Sequence, residues 1–242
     1  MYDIIGDIAI LKKGDKKEAR KILKEQRNIK TVLVKVEKVK GRLRTIKTKW
    51  LAGEKKKETV YVESGCRIKL NVESCYFSPR LSGERLEIAG KCKKGEKILV
   101  LFGGVAPYAI VIAKKSKISK VVSVELGKEC CRYARENVKM NKLQNVEIIQ
   151  GDVRKVRLEE KFDRIVMPRP QLKETFLSYA FNFVKRGTII YYYDFGKDIE
   201  KILSKIREEV KKARKKVKIF NFKKAGEIAP YKFRWRIDFK VV

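Results

Sequence analysis

Three short segments of the sequence carry residues that could bind a small cofactor, and they follow one another at intervals of about 25 residues. The first is Phe102-Gly103-Gly104, directly after the apolar run Lys97–Leu101. The second is Glu125-Leu126 and the third is Asp152-Val153, each after a further apolar run. If the runs are neighbouring parallel strands, the three segments meet at one edge of a sheet, where α/β proteins bind ligands.

These residue types fit an adenosine cofactor. A glycine pair lets the backbone approach a ligand closely, the Glu125 carboxylate can accept from both ribose hydroxyls, and Asp152 can accept from an adenine amino group. The G-x-G-x-x-G fingerprint is absent, and no Gly-Lys-Ser/Thr follows the glycines as in a phosphate loop. Singly, the glycine pair is a weak signal and Glu125 could be a surface acid. Together the three features favour S-adenosylmethionine over a nicotinamide cofactor.

The elements that must position these residues alternate between strand and helix from residue 82 onward. The alternation predicts a doubly wound α/β sheet closed by an antiparallel pair, and it resembles the order of class I methyltransferases. The predicted strands are Lys97–Leu101, Val121–Val124, Val146–Ile149, Asp163–Met167, Gly187–Tyr193, Val217–Phe220 and Phe233–Val241. The predicted helices are Glu84–Ala89, Pro107–Ala113, Lys128–Met140, Leu172–Val184 and Asp198–Lys216.

The N-terminal part has a different pattern, which predicts a small α+β domain. An apolar strand, Tyr2–Leu11, is interrupted by Gly6 and Asp7, and a helical pattern at Asp15–Arg27 leads to a β-branched strand at Thr31–Val36. We place a boundary near residue 55, with a small domain over residues 1–55 and a catalytic domain over residues 56–242. Two further strands are predicted at Val60–Val62 and Arg67–Val72.

Composition excludes several kinds of catalysis. The chain contains no histidine, which rules out a Ser-His-Asp triad, a Cys-His pair, a His-ligated zinc and a His general base. The five cysteines form no C-x-x-C pair, so we expect no metal site and reduced thiols. No apolar run is long enough to cross a membrane and no signal peptide is present, so we expect a cytoplasmic protein.

The charge balance is strongly basic, with 61 Lys and Arg against 29 Asp and Glu, a formal net charge of +32. Such a chain is expected to bind a polyanion such as tRNA or rRNA, although a Lys-rich proteome could account for part of the excess. We expect RNA phosphates to contact Lys211, Lys212, Lys215 and Lys216, unless these form only a solvated helix face. Pro230–Arg236 alternates aromatic and cationic residues that could stack on bases or pack in a sheet hairpin.

Several segments are together specific to one family: Asp3–Ala9, Leu51–Glu54, Tyr76–Arg85, Phe102–Tyr108 and Val138–Leu143. On these segments the chain resembles the archaeal and eukaryotic tRNA guanine-37 N1-methyltransferases, over nearly all of its 242 residues. Family members usually carry a further N-terminal domain, and the resemblance begins at their second domain. It therefore predicts a short form, in which residues 1–55 contact RNA.

The resemblance implies transfer of a methyl group from S-adenosylmethionine to N1 of guanine 37, next to the anticodon of tRNA. Guanine N1 must lose its proton while negative charge builds on O6, so the reaction needs a carboxylate and a cation. By their match to family positions, Glu84 is the expected base and Arg44 the expected cation at O6. Without the resemblance, Glu84 would be a first-turn helix acid and Arg44 one basic surface residue among many.

Three further residues match family positions. Tyr76 and Arg80 are implied to line the methyl-donor pocket, and Arg85 is implied to lie close to the target nucleotide. By itself, this stretch would predict a strand end followed by a capped helix.

Two positions depart from the family pattern. Val100 stands where the family has Asp, which removes the usual acid contact near the methionine end of the donor. Pro168-Arg169-Pro170 stands where the family has Asn-x-Pro, so Pro170 matches and Pro168 replaces the Asn. An Asn amide there would hold the edge of the target base, whereas proline cannot donate a hydrogen bond and fixes the loop.

This departure predicts a second activity. Some archaeal relatives with an altered residue at this position form N1-methylguanosine and also methylate C7 of 4-demethylwyosine, giving isowyosine. One alternative is the sister enzyme that transfers an aminocarboxypropyl group, although it usually lacks the Pro79-Arg80 pair. Another is a non-catalytic tRNA-binding protein on the same fold. We expect a monomer that takes S-adenosylmethionine and tRNA, without a metal or a membrane partner.

Overall fold

The computed structural model describes residues 2–37, 41 and 44–242, and the statements on structure below concern these residues. The strands are β1 (Tyr2–Ile5), β2 (Ile8–Leu11), β3 (Thr31–Lys35), β4 (Thr48–Gly53), β5 (Glu58–Glu63), β6 (Cys66–Asn71), β7 (Lys97–Leu101), β8 (Lys120–Glu125), β9 (Val146–Gln150), β10 (Phe162–Met167), β11 (Val184–Gly196), β12 (Val217–Ala229) and β13 (Lys232–Val241). The helices are α1 (Lys16–Glu25), α2 (Ser82–Lys91), α3 (Pro107–Lys115), α4 (Lys128–Met140), α5 (Leu177–Ala180) and α6 (Ile199–Lys212). In these ranges, no helix has the length and apolar character needed to span a bilayer.

Seven strands form the large sheet, in the order β12-β13-β11-β10-β7-β8-β9. β13 is antiparallel to both of its neighbours and the other pairs are parallel, which confirms the doubly wound α/β sheet with a closing antiparallel pair. The central strands are buried on both faces, since Leu99 packs in one apolar layer and Val100 in the other. A strand covered on both faces must be apolar at nearly every position, which is why Lys97–Leu101 was recognisable.

The parallel pairing sets the positions of the three segments that could bind a cofactor. Leu101 lies beside Val124, and Glu125 lies beside Gln150. The carboxyl ends of β7, β8 and β9 therefore meet, and each segment follows one of these ends. The three segments, which are about equally spaced in the sequence, therefore meet at one edge of the sheet, as predicted.

The N-terminal part forms a four-stranded sheet, β1-β2-β3-β4, with α1 packed on it. Helix α1 begins after Asp15, whose carboxylate accepts from the backbone N–H of Glu18 at 2.9 Å. This confirms the small α+β unit expected from the sequence, although β4 was not predicted. Few residues of β4 besides Thr48 and Trp50 favour strands by type. A domain boundary near residue 55 stays a prediction.

Helix α4 protects an edge of the β5-β6 hairpin with two asparagine side chains. Asn137 accepts from the N–H of Lys69 at 2.7 Å and donates to its carbonyl at 2.9 Å. Asn141 does the same for Arg67, at 2.9 and 2.6 Å. Each asparagine side chain therefore replaces a neighbouring strand and satisfies backbone groups that would otherwise lack partners.

The helix predicted over Leu172–Val184 is wrong. Only Leu177–Ala180 is α-helical, a single 3₁₀ turn follows at Phe181–Phe183, and β11 begins at Val184. Phe176 takes a left-handed backbone conformation (φ 61°), which prevents a helix from starting earlier. The helical spacing was misleading because the buried residues Phe176, Leu177 and Phe183 lie on three successive pieces, a left-handed residue, a single α-helical turn and a 3₁₀ turn, rather than on one face of a long helix.

The expectation of reduced thiols is wrong for two cysteines. Cys75, after β6, and Cys130, on α4, form a disulfide, whereas Cys66, Cys92 and Cys131 are free. The pairing could not be predicted from a separation of 55 residues, because it depends on how the β5-β6 hairpin packs against α4. Among the described residues, no group of three or more Cys, Asp or Glu is arranged to hold a metal ion.

A buried ion pair joins the β5-β6 hairpin to α2. The Arg85 guanidinium donates two hydrogen bonds to the Glu63 carboxylate, each at 2.5 Å, and also donates to the carbonyl of Ser78. Both charged side chains are almost completely buried. Removing one charge would leave the other buried without compensation.

We therefore expect Glu63→Gln to lower the free energy of unfolding by about 3–5 kcal/mol. The matched control is Glu25→Gln, which removes an exposed pair with Lys21 and should change stability by less than about 0.5 kcal/mol. Urea unfolding followed by fluorescence measures both variants. A loss below about 1 kcal/mol for Glu63→Gln would contradict a buried, paired Arg85.

Candidate active site

A pocket, the edge pocket, opens at the carboxyl edge of the large sheet and contains most of the residues predicted to bind a cofactor. Its walls combine the loops after β7, β8, β9 and β10 with the segment after β6. The predicted residues that line it are Arg44, Tyr76, Phe102, Gly104, Glu125, Leu126, Asp152, Val153, Pro168 and Pro170. The structure therefore brings together residues from six segments of the chain.

The Glu125 carboxylate holds the glycine loop in place. Its two oxygens accept from the backbone N–H groups of Gly104, at 2.8 Å, and Gly127, at 2.7 Å. A Cβ on Gly103 would lie 2.1 Å from the Ser123 hydroxyl, and Gly104 has a φ of 57°, so both positions need glycine. Each carboxylate oxygen keeps a second lone pair for a ligand hydroxyl. Glu125 can therefore shape the loop and accept from a ribose.

The remaining walls of the edge pocket are partly apolar. Phe102 meets Phe176 edge to face, with ring centres 5.0 Å apart, and Leu126 and Val153 lie nearby in the lining. The Asp152 carboxylate pairs with Arg154 at 2.5 Å. An adenine needs a flat apolar slot with a few polar atoms at its rim, and this wall offers both.

A second pocket, the base pocket, adjoins the first. Five residues line both pockets: Arg44, Tyr76, Phe102, Gly104 and Pro168. The base pocket also contains Phe77, Tyr108, Tyr193 and Arg234. A group bound in one pocket would thus lie against a group bound in the other, across a shared wall.

The two tyrosines of the base pocket come from α3 and β11. Burial raises the pKa of Tyr108 to about 12 and raises the pKa of Tyr193 well above its usual value. Both hydroxyls are therefore protonated at neutral pH. The Tyr108 hydroxyl finds no hydrogen-bond partner among the described residues, which leaves a buried donor for a ligand.

Glu84 lies behind the wall of the base pocket. Its carboxylate accepts from the Tyr193 hydroxyl at 2.9 Å and from Arg236 at 2.9 Å, and Lys223 lies 2.5 Å away. Glu84 is buried and does not line the base pocket itself. Tyr193 is thus the link between Glu84 and the base pocket, a link that the sequence did not reveal.

Two arginines flank Tyr76. The guanidinium carbon of Arg44 lies 3.7 Å from the centre of the Tyr76 ring, and Arg234 donates to the Tyr76 hydroxyl at 3.4 Å. Burial disfavours the Tyr76 phenolate, but the two cations outweigh burial and lower the pKa of Tyr76. Burial, together with repulsion from Arg234, lowers the pKa of Arg44. The shared wall of the two pockets is thus strongly cationic.

Arg169 fixes the loop that carries Pro168 and Pro170. One of its nitrogens donates to the carbonyls of Pro170, Leu172 and Glu174 at 3.0–3.2 Å, and another donates to the Asp194 carboxylate. The side chain is almost completely buried. The sequence singled out the two prolines and passed over the arginine between them, because its partners are not local.

Several predicted site residues lie elsewhere. Arg80, expected in the donor pocket, is 64% exposed and pairs with Asp3 at 2.6 Å, because Leu81 takes the inward position of this turn. Arg85 lines the base pocket, but its guanidinium is engaged by Glu63.

The four lysines predicted to contact RNA lie where α6 ends and β12 begins: Lys211, Lys212, Lys215 and Lys216. Because β12 runs parallel to β11, they lie at the opposite edge of the sheet from the two pockets.

The strand order, the glycine loop after β7 and the acid at the end of β8 define a class I methyltransferase fold. Comparison with known proteins assigns the family. The TRM5/TYW2 methyltransferase domain model matches residues 59–220, and the TYW2 N-terminal domain model matches residues 1–56. The chain belongs to the TRM5/TYW2 methyltransferase family.

Three relatives show the range within this family. The tRNA (guanine(37)-N(1))-methyltransferase Trm5b of Pyrococcus abyssi is 37% identical over 99% of this chain and 74% of its own length, and its crystal structure superposes with a TM-score of 0.88. The tRNA (guanine(37)-N(1))/4-demethylwyosine(37)-methyltransferase Taw22 of Nanoarchaeum equitans is 33% identical over 100% of this chain and 99% of its own length. The M. jannaschii TYW2 complex with AdoMet has a TM-score of 0.76 and 26% identity, with full coverage of both chains.

Glu125 generates a prediction about the cofactor. Glu125→Ala would remove a carboxylate that anchors the glycine loop and can accept from two ribose hydroxyls, so we expect a loss of donor affinity of about 1–3 kcal/mol. Isothermal titration with S-adenosylmethionine measures it, with Glu129→Ala, on the exposed side of α4, as the control. An unchanged dissociation constant for Glu125→Ala would remove this residue from the donor site.

Proposed function

We propose that this protein is an S-adenosylmethionine-dependent tRNA methyltransferase that forms N1-methylguanosine at position 37. The main support for this proposal is that two pockets adjoin across a shared wall. One pocket suits an adenosine cofactor, and the other is lined by aromatic rings and Arg44. Relatives named for this reaction support the assignment of substrate and position. We also propose that the protein acts in the cytoplasm, where it would meet a tRNA substrate, and that it acts as a monomer.

The edge pocket fits the methyl donor by its own features. Gly104 lines the pocket without a side chain, so the backbone of the glycine loop can approach a ligand closely, and Glu125 offers free lone pairs at the rim of the pocket. When bound, S-adenosylmethionine supplies the methyl group. Glu125 and Asp152 would hold its adenosine, and the shared wall at Tyr76 and Phe102 would direct the reactive end toward the base pocket.

The base pocket would orient a flipped guanine. Taking a base out of the stack requires a pocket with flat apolar walls and polar atoms at its edge. Phe77 and Pro168 supply apolar surface, and the unpartnered Tyr108 hydroxyl can donate to the base. Arg44, close to Tyr76, would stabilise the charge that develops on O6.

We propose that the N1 proton reaches Glu84 through Tyr193. The N1 proton passes to the Tyr193 oxygen while the Tyr193 proton passes to Glu84, across the hydrogen bond of 2.9 Å. The Glu84 carboxylate also pairs with Arg236 at 2.9 Å and with Lys223 at 2.5 Å, and these two cations hold it in place beside Tyr193. A weak base suffices because the N1 proton becomes acidic as the new N–C bond forms. This keeps Glu84 as the base and adds a residue that connects it to the substrate.

The variants Glu84→Gln and Tyr193→Phe test this proton relay, in which Tyr193 passes the N1 proton to Glu84. Each should reduce the single-turnover rate of methyl transfer by about a hundredfold, as expected for a lost proton acceptor, while donor affinity is kept. The double variant should lose no more than either single variant, because the two groups act in one path. Thr188→Ser, on the same strand at the opposite edge of the sheet, is the control. A full rate for Tyr193→Phe would exclude the relay.

One observation favours an additional activity on a second base. Pro168 lines both pockets and has no N–H to donate, so the base pocket has one base-edge hydrogen bond fewer than an Asn would provide. The chain also matches the Nanoarchaeum equitans protein, named for both reactions, over almost its whole length. We propose that the protein also methylates C7 of 4-demethylwyosine at position 37.

Pro168→Asn tests this second activity. A restored hydrogen bond is worth roughly 0.5–1.5 kcal/mol, so the ratio of guanine N1 to C7 methylation should rise about two- to tenfold. Single-turnover rates on unmodified tRNA and on tRNA carrying the tricycle measure the ratio, and Pro170→Ala controls for loop stiffness. A wild type that never methylates the tricycle would exclude the second activity, and equal losses on both substrates would limit Pro168 to shaping the loop.

Mass spectrometry of nucleoside 37 separates these products from that of the alternative aminocarboxypropyl transfer. A protein that binds tRNA but no donor would instead be a non-catalytic tRNA-binding protein.

A further inference from the structure

Arg234 is an exception among the buried arginines. In the described chain five arginines are buried, and four of them pair with a carboxylate. The pairs are Arg85–Glu63, Arg164–Glu96, Arg169–Asp194 and Arg236–Asp238. Arg234 is only 8% exposed and has no carboxylate within salt-bridge distance among the described residues.

A buried cation without a counter-charge is costly, and here the cost is increased by a neighbour. Arg44 also has no carboxylate partner in the described chain, and both guanidinium groups lie against Tyr76. Their mutual repulsion is one cause of the lowered pKa of Arg44. An arrangement of this kind is stabilised when an anion binds between the two cations.

The position of Arg234 limits where such an anion can lie. Arg234 lines the base pocket and a cleft of about 320 Å³ between the N-terminal sheet, the turn at Pro79–Leu81 and the β12-β13 hairpin. It does not line the edge pocket. An anion bound by Arg234 would therefore lie in the base pocket or the cleft and outside the edge pocket.

The cleft itself has the charge of a path for a nucleic-acid backbone. Four cations line it, Lys35, Arg44, Arg80 and Arg234, against the two carboxylates Asp3 and Glu227. Lys35 and Arg80 share Asp3, at 3.7 and 2.6 Å. Glu227 forms no salt bridge with Arg234 in the described chain. The uncompensated charge is thus concentrated on Arg44 and Arg234, at the inner end of the cleft.

We propose that Arg234 binds a phosphodiester next to the flipped target nucleotide, and that the cleft carries the RNA backbone to the base pocket. The proposal rests on the proposed function, since the phosphodiester belongs to the tRNA substrate. A planar guanidinium can bind two phosphate oxygens at once. Arg44 keeps its role at the base, and Arg234 holds the backbone that presents the base.

The test is a double-mutant cycle between protein and RNA. The variants are Arg234→Gln and Arg234→Lys, and the RNA is the tRNA with a neutral methylphosphonate at either phosphate flanking the target guanosine. Arg234→Gln should weaken tRNA binding about tenfold or more, lower the slope of log affinity against log salt by about 0.7–0.9, and leave donor affinity unchanged. One methylphosphonate should weaken the wild type by a similar factor and have little further effect on Arg234→Gln.

Two measurements exclude a merely structural role. Arg234→Lys should recover part of the tRNA affinity, since the charge returns. The thermal midpoint of Arg234→Gln should equal or exceed that of the wild type, because an unpaired buried charge is removed. Arg186→Gln, an exposed arginine near the start of β11, is the matched control and should leave binding unchanged.

The opposite outcomes overturn the proposal. Unchanged tRNA affinity and an unchanged salt slope in Arg234→Gln would overturn it. Additive losses of tRNA affinity from the variant and from each methylphosphonate would also overturn it. Weaker donor binding with unchanged tRNA binding would assign Arg234 to the donor carboxylate. A wild type that binds no tRNA would overturn this proposal and the proposed function together. Binding with the expected coupling but without methylated product would overturn the proposed function alone.

Discussion

An arginine inside a protein requires a carboxylate nearby, and this chain has only 29 acidic residues for 61 basic ones. The structure uses its acids accordingly. Within the described part of the chain, four carboxylates are buried, and each pairs with a buried arginine: Glu63, Glu84, Asp194 and Asp238. These pairs join the β5-β6 hairpin to α2, the proline loop to β11, and α2 to β13. Ion pairs between buried charges therefore link several of the elements that surround the two pockets.

Because a buried arginine normally needs a carboxylate, a buried arginine without one is informative. Surface lysines in a basic chain carry little information, because water compensates them at low cost. Lys211 and Lys216 belong to a dense cluster of basic residues in the sequence, and they lie at the opposite edge of the sheet from the pockets. A cation that is buried and uncompensated is more informative, since the fold gives up stability to keep it. RNA contacts at these lysines stay a prediction, whereas the burial of Arg234 gives a separate physical reason to expect an anion there.

A site residue could be predicted from the sequence when the residues that position it are close to it in the chain. Glu125 and Asp152 were recognisable because each directly follows an apolar strand, and parallel pairing brings strand ends to one edge. Arg169, Tyr193 and Arg234 were not, since their partners lie 25 to 158 residues away in the chain. The predicted helix over Leu172–Val184 failed for a related reason. Apolar spacing records which residues are buried, and here a single α-helical turn followed by a 3₁₀ turn buries Leu177 and Phe183 without a long helix.

The shared wall of the pockets determines how substitutions in this site can be interpreted. A change at Arg44, Tyr76, Phe102, Gly104 or Pro168 alters a surface that both pockets use, so its effects on donor and base are coupled. Glu125 lines only the edge pocket, and Tyr193 lines only the base pocket. Separate roles can therefore be measured at the outer residues and not at the wall. Pro168 belongs to this wall, so its exchange for asparagine would change a surface that lines both pockets, and rates on two different bases must be compared to separate an effect on the base from an effect on the donor.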